Sequence, residues 1–168
     1  IRKDLVEPIG FEAIESVVNF NVTQDLERGT VTLTQALEEA HLILDGAQSS
    51  ARWLAALFGR TPLRTGVSDA FEAVQRGKLL LNMTNAVNAL SGQAISPMFF
   101  DPAYRRVLAA SIREATAVFE ADGIAPQAAV RRDAFLLRWL TTLLLSPQWF
   151  FAATMGRRLK GRGDGFTS

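Results

Sequence analysis

The chain contains no cysteine. Disulfides, thiolate nucleophiles and cysteine-ligated zinc are therefore excluded, and the composition fits a reducing compartment, with the cytoplasm as the expected location. Histidine is nearly absent too. The single one, His41, lies in a β-prone stretch with no acid or nucleophile motif beside it and reads as structural. Neither GxGxxG nor GxxxxGK[ST] occurs, so the sequence carries no phosphate-cradling loop of its own. An excess of one charge is also lacking. With 18 Lys and Arg against 17 Asp and Glu, no global field recruits nucleic acid or an anionic membrane. The basic tail Arg157, Arg158, Lys160 and Arg162 has no interleaved aromatics and reads as solvated surface. Long hydrophobic runs are missing as well. FLLRWLTTLLL and WFFAATM are broken by Arg138, Thr141, Thr142 and Pro147, short of the roughly 18 residues that span a bilayer, so no membrane partner is expected.

What is present is an ordinary globular composition, 48% hydrophobic and 21% charged, which rules against disorder. The first residue is Ile1 rather than Met, and the sequence stops at Ser168 just after a Gly-rich polar run. A fragment of a longer protein is expected.

The first third has mixed signals. Residues 1–9 read as the end of a helix stopped by Pro8 and Gly10, and residues 11–23 as one strand with near alternation and β-branching. Residues 30–35 and 41–45 are short and β-prone, the intervening ALEEA is helix-prone, and Asp45-Gly46 is a turn signal. Residues 49–58 predict a helix capped by Ser49 or Ser50 and ended by Gly59, and residues 62–67 a connector.

From Ser68 the pattern is helical throughout. Asp69 with Glu72 resembles a capping box for a helix over 68–92. Asp101-Pro102 has the favoured cap and first-turn chemistry for a second over 102–122, stopped by Gly123. Pro126 opens a third through Leu145, and Pro147 a fourth to about Leu159. Trp139, Trp149, Phe150 and Phe151 read as core, or, if exposed, as an oligomer interface. The expected fold class is mainly α, with residues 1–66 as a strand-containing part and 67–168 as an all-helical one.

The organising stretch is SDAFEAVQRGKLLLNMTNAVNALSG, residues 68–92, where Lys78, Asn82, Asn85 and Asn88 interrupt what reads as a buried leucine-rich rod. At about 100 degrees per residue, Lys78, Asn82 and Asn85 fall within roughly 60 degrees and form one stripe. A lone lysine there is ordinarily a snorkelling surface residue. Asparagine, however, is a poor helix former because it competes for backbone hydrogen bonds, so three of them in one apolar helix suggest that their amides are used. A structural polar network and a ligand site explain this equally well. In the second case the lysine ammonium could donate a proton to, or polarise, a carbonyl oxygen. Gly77 costs about 1 kcal/mol in an exposed helix, and close approach by a neighbour or a ligand would explain it.

At KLLLNMTNAVNALSG followed by PAYRRVLAASIREATAVFEADGI, the sequence resembles the C-terminal helical domain of the ketopantoate reductase (2-dehydropantoate 2-reductase) family, and VVNFNV resembles a strand closing that family's cofactor domain. The similarity runs from Phe11 onward, with residues 24–44 departing from it. The resemblance implies a helical domain of the 6-phosphogluconate dehydrogenase C-terminal type, preceded by a few strands left from an α/β Rossmann domain. It further implies NADPH-dependent reduction of 2-dehydropantoate to pantoate in pantothenate biosynthesis, a small 2-oxoacid substrate, and a homodimer through the C-terminal helices as one form.

By the same resemblance Lys78 is the proton donor, while Asn82, Asn85, Asn88 and Ser168 are the substrate-binding candidates. The family's second asparagine commonly stands eight residues after the lysine. That position is Ala86 here, with Asn85 and Asn88 on either side. The dinucleotide fingerprint is missing, so NADPH would be bound mainly by a domain absent from this chain, and the chain by itself is expected to be inactive. Two alternatives stand beside this one: a non-catalytic helical interaction module, and a related reductase acting on a different 2-oxoacid.

Overall fold

The computed structural model describes residues 13–160 and is mainly helical, with a small mixed sheet. It divides into two compact units, Ile1–Val74 and Gln75–Ser168. The expected boundary at 66/67 falls inside a strand, and the units part further on, inside a helix.

In the first unit, β1 (Ser16–Asn19), β4 (His41–Asp45) and β5 (Arg64–Ser68) form a sheet in the order β1-β4-β5. β1 runs antiparallel to β4, Ser16 opposite Leu44 and Asn19 opposite His41, whereas β5 runs parallel to β4, His41 opposite Arg64. A parallel pair needs a crossover of a dozen or more residues, and α1 (Ala51–Phe58) provides it. Gly59 ends α1 as expected, but Ser50 at its start makes no side-chain capping bond. β2 (Val22–Asp25) and β3 (Thr30–Leu33) form a separate antiparallel hairpin with Val22 opposite Leu33. Its turn is held by the Asp25 carboxylate, which accepts from the Glu27 and Arg28 amides at 3.1 and 3.0 Å, and Gly29 takes φ 61°. Leu37–Glu39 is a single 3-10 turn.

Two expectations need correction here. The single strand over 11–23 is two strands in two different sheets, parted at Phe20 and Asn21. Alternation signals extended backbone but does not say which partner each half will take. Residues 62–67, read as a connector, hold all of β5 but its last residue. RTGVS has few apolar residues and becomes a strand by main-chain pairing with β4, where Gly66 lets the Ile43 side chain come within 3.3 Å of the position a Cβ would take. The stretch 1–9 lies outside the described residues.

In the second unit, α2 (Phe71–Ser91), which enters it at Gln75, is followed by α3 (Ile95–Phe100), α4 (Pro102–Ala121), α5 (Arg131–Leu144) and α6 (Gln148–Lys160). The core is built on Leu80, Leu108, Ala109, Ile112, Leu144 and Phe151. α4 starts as its sequence dictates: the Asp101 carboxylate accepts from the Ala103 amide at 2.7 Å and Pro102 fills the first turn, while Gly123 at φ 75° follows its end. α2 begins at Phe71, two residues after the expected cap, because the Asp69 carboxylate bonds Arg52 at 3.1 Å and the Ser68 hydroxyl accepts from the Ala70 amide.

α3 is a helix where the sequence reading has none, between the expected helices over 68–92 and 102–122. Pro97 sits in the first turn of α3, where its missing N–H costs nothing. α5 starts at Arg131 rather than Pro126, because residues 126–130 run against α2: a Cβ on Gly77 would lie 1.8 Å from the Gln127 carbonyl oxygen. The neighbour that Gly77 admits is thus backbone of the chain itself. Of the four aromatics read as core only Phe151 is, at 1% exposure, whereas Trp139, Trp149 and Phe150 are 44%, 73% and 43% exposed. Trp149, Phe150 and Phe151 are consecutive and stand about 100 degrees apart around α6, so the three cannot all face the core. Among the described residues, no helix is long and apolar enough to cross a membrane.

Candidate functional site

α2 carries the polar stripe, and its core-facing side is the opposite one. Leu80, Met83 and Val87 pack into the core cluster and lie roughly 140–200 degrees around the helix from Lys78. Asn82 and Asn85 are therefore exposed, and Lys78 is half-buried. The expectation of a fully buried rod is corrected accordingly: Leu79 is 48% and Leu90 is 91% exposed. Amides that meet water carry no desolvation penalty and need no protein partner.

Asn88 is the exception, 5% exposed. Its Nδ2 donates to the Gln93 carbonyl beyond the helix end, the Ser91 hydroxyl donates to the Asn88 carbonyl at 3.0 Å, and the Gln93 amide donates back to that hydroxyl at 3.2 Å. With Gly92 at φ 63°, these bonds satisfy orphan carbonyls where α2 stops. Asn88 is thus engaged in closing its own helix. Asn88→Ala should lower the unfolding free energy by about 1–2 kcal/mol, because the bond that closes the end of α2 and the packing of a buried side chain are lost, whereas Asn82→Ala should change it by less than about 0.5 kcal/mol. Urea denaturation of the two variants checks the contrast; equal losses would contradict the assigned roles.

The face turned away from the core carries one half-buried ammonium and two exposed carboxamides. Lys78 and Asn82 are one turn apart, roughly 6 Å along the axis, and Asn85 is about 10 Å from Lys78. A small anion with an adjacent carbonyl could take the cation at its oxygen and the amides along its length. Ser168 lies outside the described residues.

A dinucleotide fits less well. Among the described residues, the one parallel strand–helix–strand unit, β4–α1–β5, is the natural place for a diphosphate. Its turn instead carries carboxylates. Asp45 accepts from the Ala47 amide at 3.0 Å, and a Cβ on Gly46 would meet the Asp69 carboxylate at 2.5 Å and the Ser68 carbonyl at 2.8 Å. That glycine makes room for the end of β5 rather than for a ligand, and two acidic side chains would repel phosphate. Among the described residues, no group of three His, Cys, Asp or Glu is placed to hold a metal ion.

Sequence reasoning passed over Arg105. It is 3% exposed and bonds only neutral oxygens: the Leu144 carbonyl at 3.0 Å, Phe99 carbonyl at 3.1 Å, Gln148 Oε1 at 2.5 Å and Ser146 carbonyl at 3.5 Å. Burial lowers its pKa below the ordinary arginine value, partly offset by Asp101. The signal was available, since Arg105 stands three, four and seven residues before the buried Leu108, Ala109 and Ile112, on the core face. Compared with known proteins, the chain matches no protein-family model and no curated protein.

Proposed function

We propose that this chain is the substrate-binding part of an NADPH-dependent reductase that converts 2-dehydropantoate to pantoate in pantothenate biosynthesis. The observation that carries the proposal is the open stripe on α2, where Lys78, Asn82 and Asn85 share the face turned away from the core. Carbonyl reduction develops negative charge on the ketone oxygen, and an ammonium at that oxygen both stabilises it and supplies the proton. The carboxamide of Asn82, one turn away, orients the substrate, with Asn85 next along the stripe. The resemblance at KLLLNMTNAVNALSG supports these roles. Because the turn of β4–α1–β5 suits no diphosphate, NADPH would be held by other residues, and this chain's part is limited to binding the 2-oxoacid and delivering the proton.

The test is a titration of the chain with pantoate, followed through the side-chain amide resonances of Asn82 and Asn85. Saturable shifts with a Kd on the order of 1 mM are expected, corresponding to about 4 kcal/mol of binding. Lys78→Gln should weaken binding about tenfold. Equal response to acetate would reduce the site to a carboxylate trap, a stronger response to another 2-hydroxyacid would move the substrate within the same reaction, and no response at tens of millimolar would sink the proposal.

One observation favours a non-catalytic interaction module instead: the rings of Trp139, Trp149 and Phe150 are open to solvent. On that reading pantoate leaves the Asn82 and Asn85 resonances unmoved.

A further inference from the structure

The side of α5 turned away from the core carries cations and apolar groups in one seam. At about 100 degrees per residue, Arg131, Phe135, Arg138, Thr142 and Leu145 fall within roughly 80 degrees, at the alternating spacings of four and three along which one helix packs on another. Trp139 flanks the seam beside Phe135. All six are exposed, with Phe135 at 54%, Trp139 at 44% and Leu145 at 47%. Leu137, Leu140 and Leu144, on the opposite side, pack into the core.

Charge decides what fits this seam. Arg131 and Arg138 stand seven residues apart, roughly 10 Å along the axis, and Asp133, the only acid of α5, lies about 140–160 degrees around the helix from them. Among the described residues neither arginine forms an ion pair, and the Arg138 guanidinium lies 5.7 Å from the centre of the Trp139 ring. We propose that the seam binds an acidic amphipathic helix of a partner protein. The apolar residues of that helix pack on Phe135, Trp139 and Leu145, and carboxylates seven residues apart meet the two guanidiniums, each fork taking one carboxylate through two parallel bonds.

Other occupants match the seam less well. The same face of a second copy brings cations and no carboxylate in any register, so like charge opposes it. A lipid surface would draw Arg138 in among acyl chains, because it stands between Phe135 and Thr142 in the middle of the stripe, whereas interfacial helices keep their cations at the edges. Single-stranded nucleic acid gains affinity with each phosphate neutralised, and two cations supply little of it. The proposal goes beyond the reductase reading, which concerns α2, and does not depend on it.

The probe is a helical peptide of about three heptads with leucine along one face and glutamate on both flanks of it, set against a counterpart with lysine in place of glutamate. Titrated into the chain, the acidic peptide should shift the indole N–H resonance of Trp139 and leave those of Trp53 and Trp149 in place, with a Kd on the order of 10–100 µM that weakens in about 1 M salt. Arg131→Glu and Arg138→Glu should each weaken it tenfold or more, and both residues are exposed, so the variants should fold as the parent does. Trp149→Ser should bind as the parent does. No shift of Trp139 at about 1 mM peptide overturns the proposal, as does an equal response to the lysine peptide or indifference to both charge reversals. It is overturned too if oligothymidylate or phosphatidylglycerol vesicles shift Trp139 at lower concentration than the peptide, or if dilution of the chain alone shifts it, which would put a second copy on the seam.

Discussion

Gly77→Ala should destabilise the chain by about 3 kcal/mol, a result opposite in sign to what helix propensity predicts. In an exposed helix the same change gains about 1 kcal/mol. Here the added methyl would stand 1.8 Å from the Gln127 carbonyl oxygen and 2.7 Å from its carbonyl carbon. Both atoms are backbone, so no rotamer change relieves the overlap, and either α2 or the segment before α5 must shift. Overpacking of this kind costs about 1–3 kcal/mol and sometimes more, which outweighs the propensity gain. For a domain of this size, 3 kcal/mol corresponds to a fall in Tm of roughly 10 °C. Gly156→Ala is the matched control, because Gly156 is buried in α6 with nothing within 4 Å of the point where its added methyl would stand. It should be neutral or slightly stabilising. A Gly77→Ala chain as stable as the parent would contradict the contact with Gln127.

Gly77 also marks how far sequence goes. That a mid-helix glycine signals close approach could be read from its cost; that the approaching group is the carbonyl of Gln127, fifty residues on, could not. The helices with chemical punctuation were legible. Asp101-Pro102 and Gly123 bracket α4 because capping is a local interaction, complete within a few residues. The strands were legible as extended chain and illegible as a sheet. β5 has little apolar content, and its strand character comes from hydrogen bonds to β4, a partner that no local pattern announces.

The chemistry of the candidate site was legible in outline, its burial was not. Periodicity put Lys78, Asn82 and Asn85 on one face, but composition suggested that every face was covered. Leu79 and Leu90, in contact with water, show otherwise. Asn82 and Asn85 therefore meet solvent, rather than belonging to a buried network demanding partners. Asn88, the one asparagine of the four polar residues that is buried, has its amide engaged within the chain.

Arg105 carries the other large expected effect. Arg105→Met should cost about 3–5 kcal/mol of unfolding free energy, because several carbonyls gathered around one guanidinium lose their donor together. The methionine keeps most of the apolar stem, so the loss falls on the polar contacts. The guanidinium gathers carbonyls from Phe99 at the end of α3 and from Leu144 and Ser146 at the end of α5, together with Gln148 in the first turn of α6. It also lies 4.5 Å from the centre of the buried Phe151 ring. The carbonyls at the end of α5 are the orphans every helix leaves there, and a buried acceptor without a donor costs about 1–3 kcal/mol. Arg105→Lys keeps the charge but cannot reach acceptors arranged around a planar fork, so about half the loss should persist. Its neighbour separates charge from position: Arg106 is exposed, and Arg106→Met should change stability by less than about 0.5 kcal/mol. Urea denaturation of the three variants gives the comparison. Hydrogen exchange should then show the Arg105→Met loss concentrated at residues 144–151, where three helices meet on one side chain. If the Arg105→Met and Arg106→Met midpoints coincided, the guanidinium would be incidental to the fold, and the junction would have to be held by Phe99 stacked on Phe151 and Phe100 set edge-on to it.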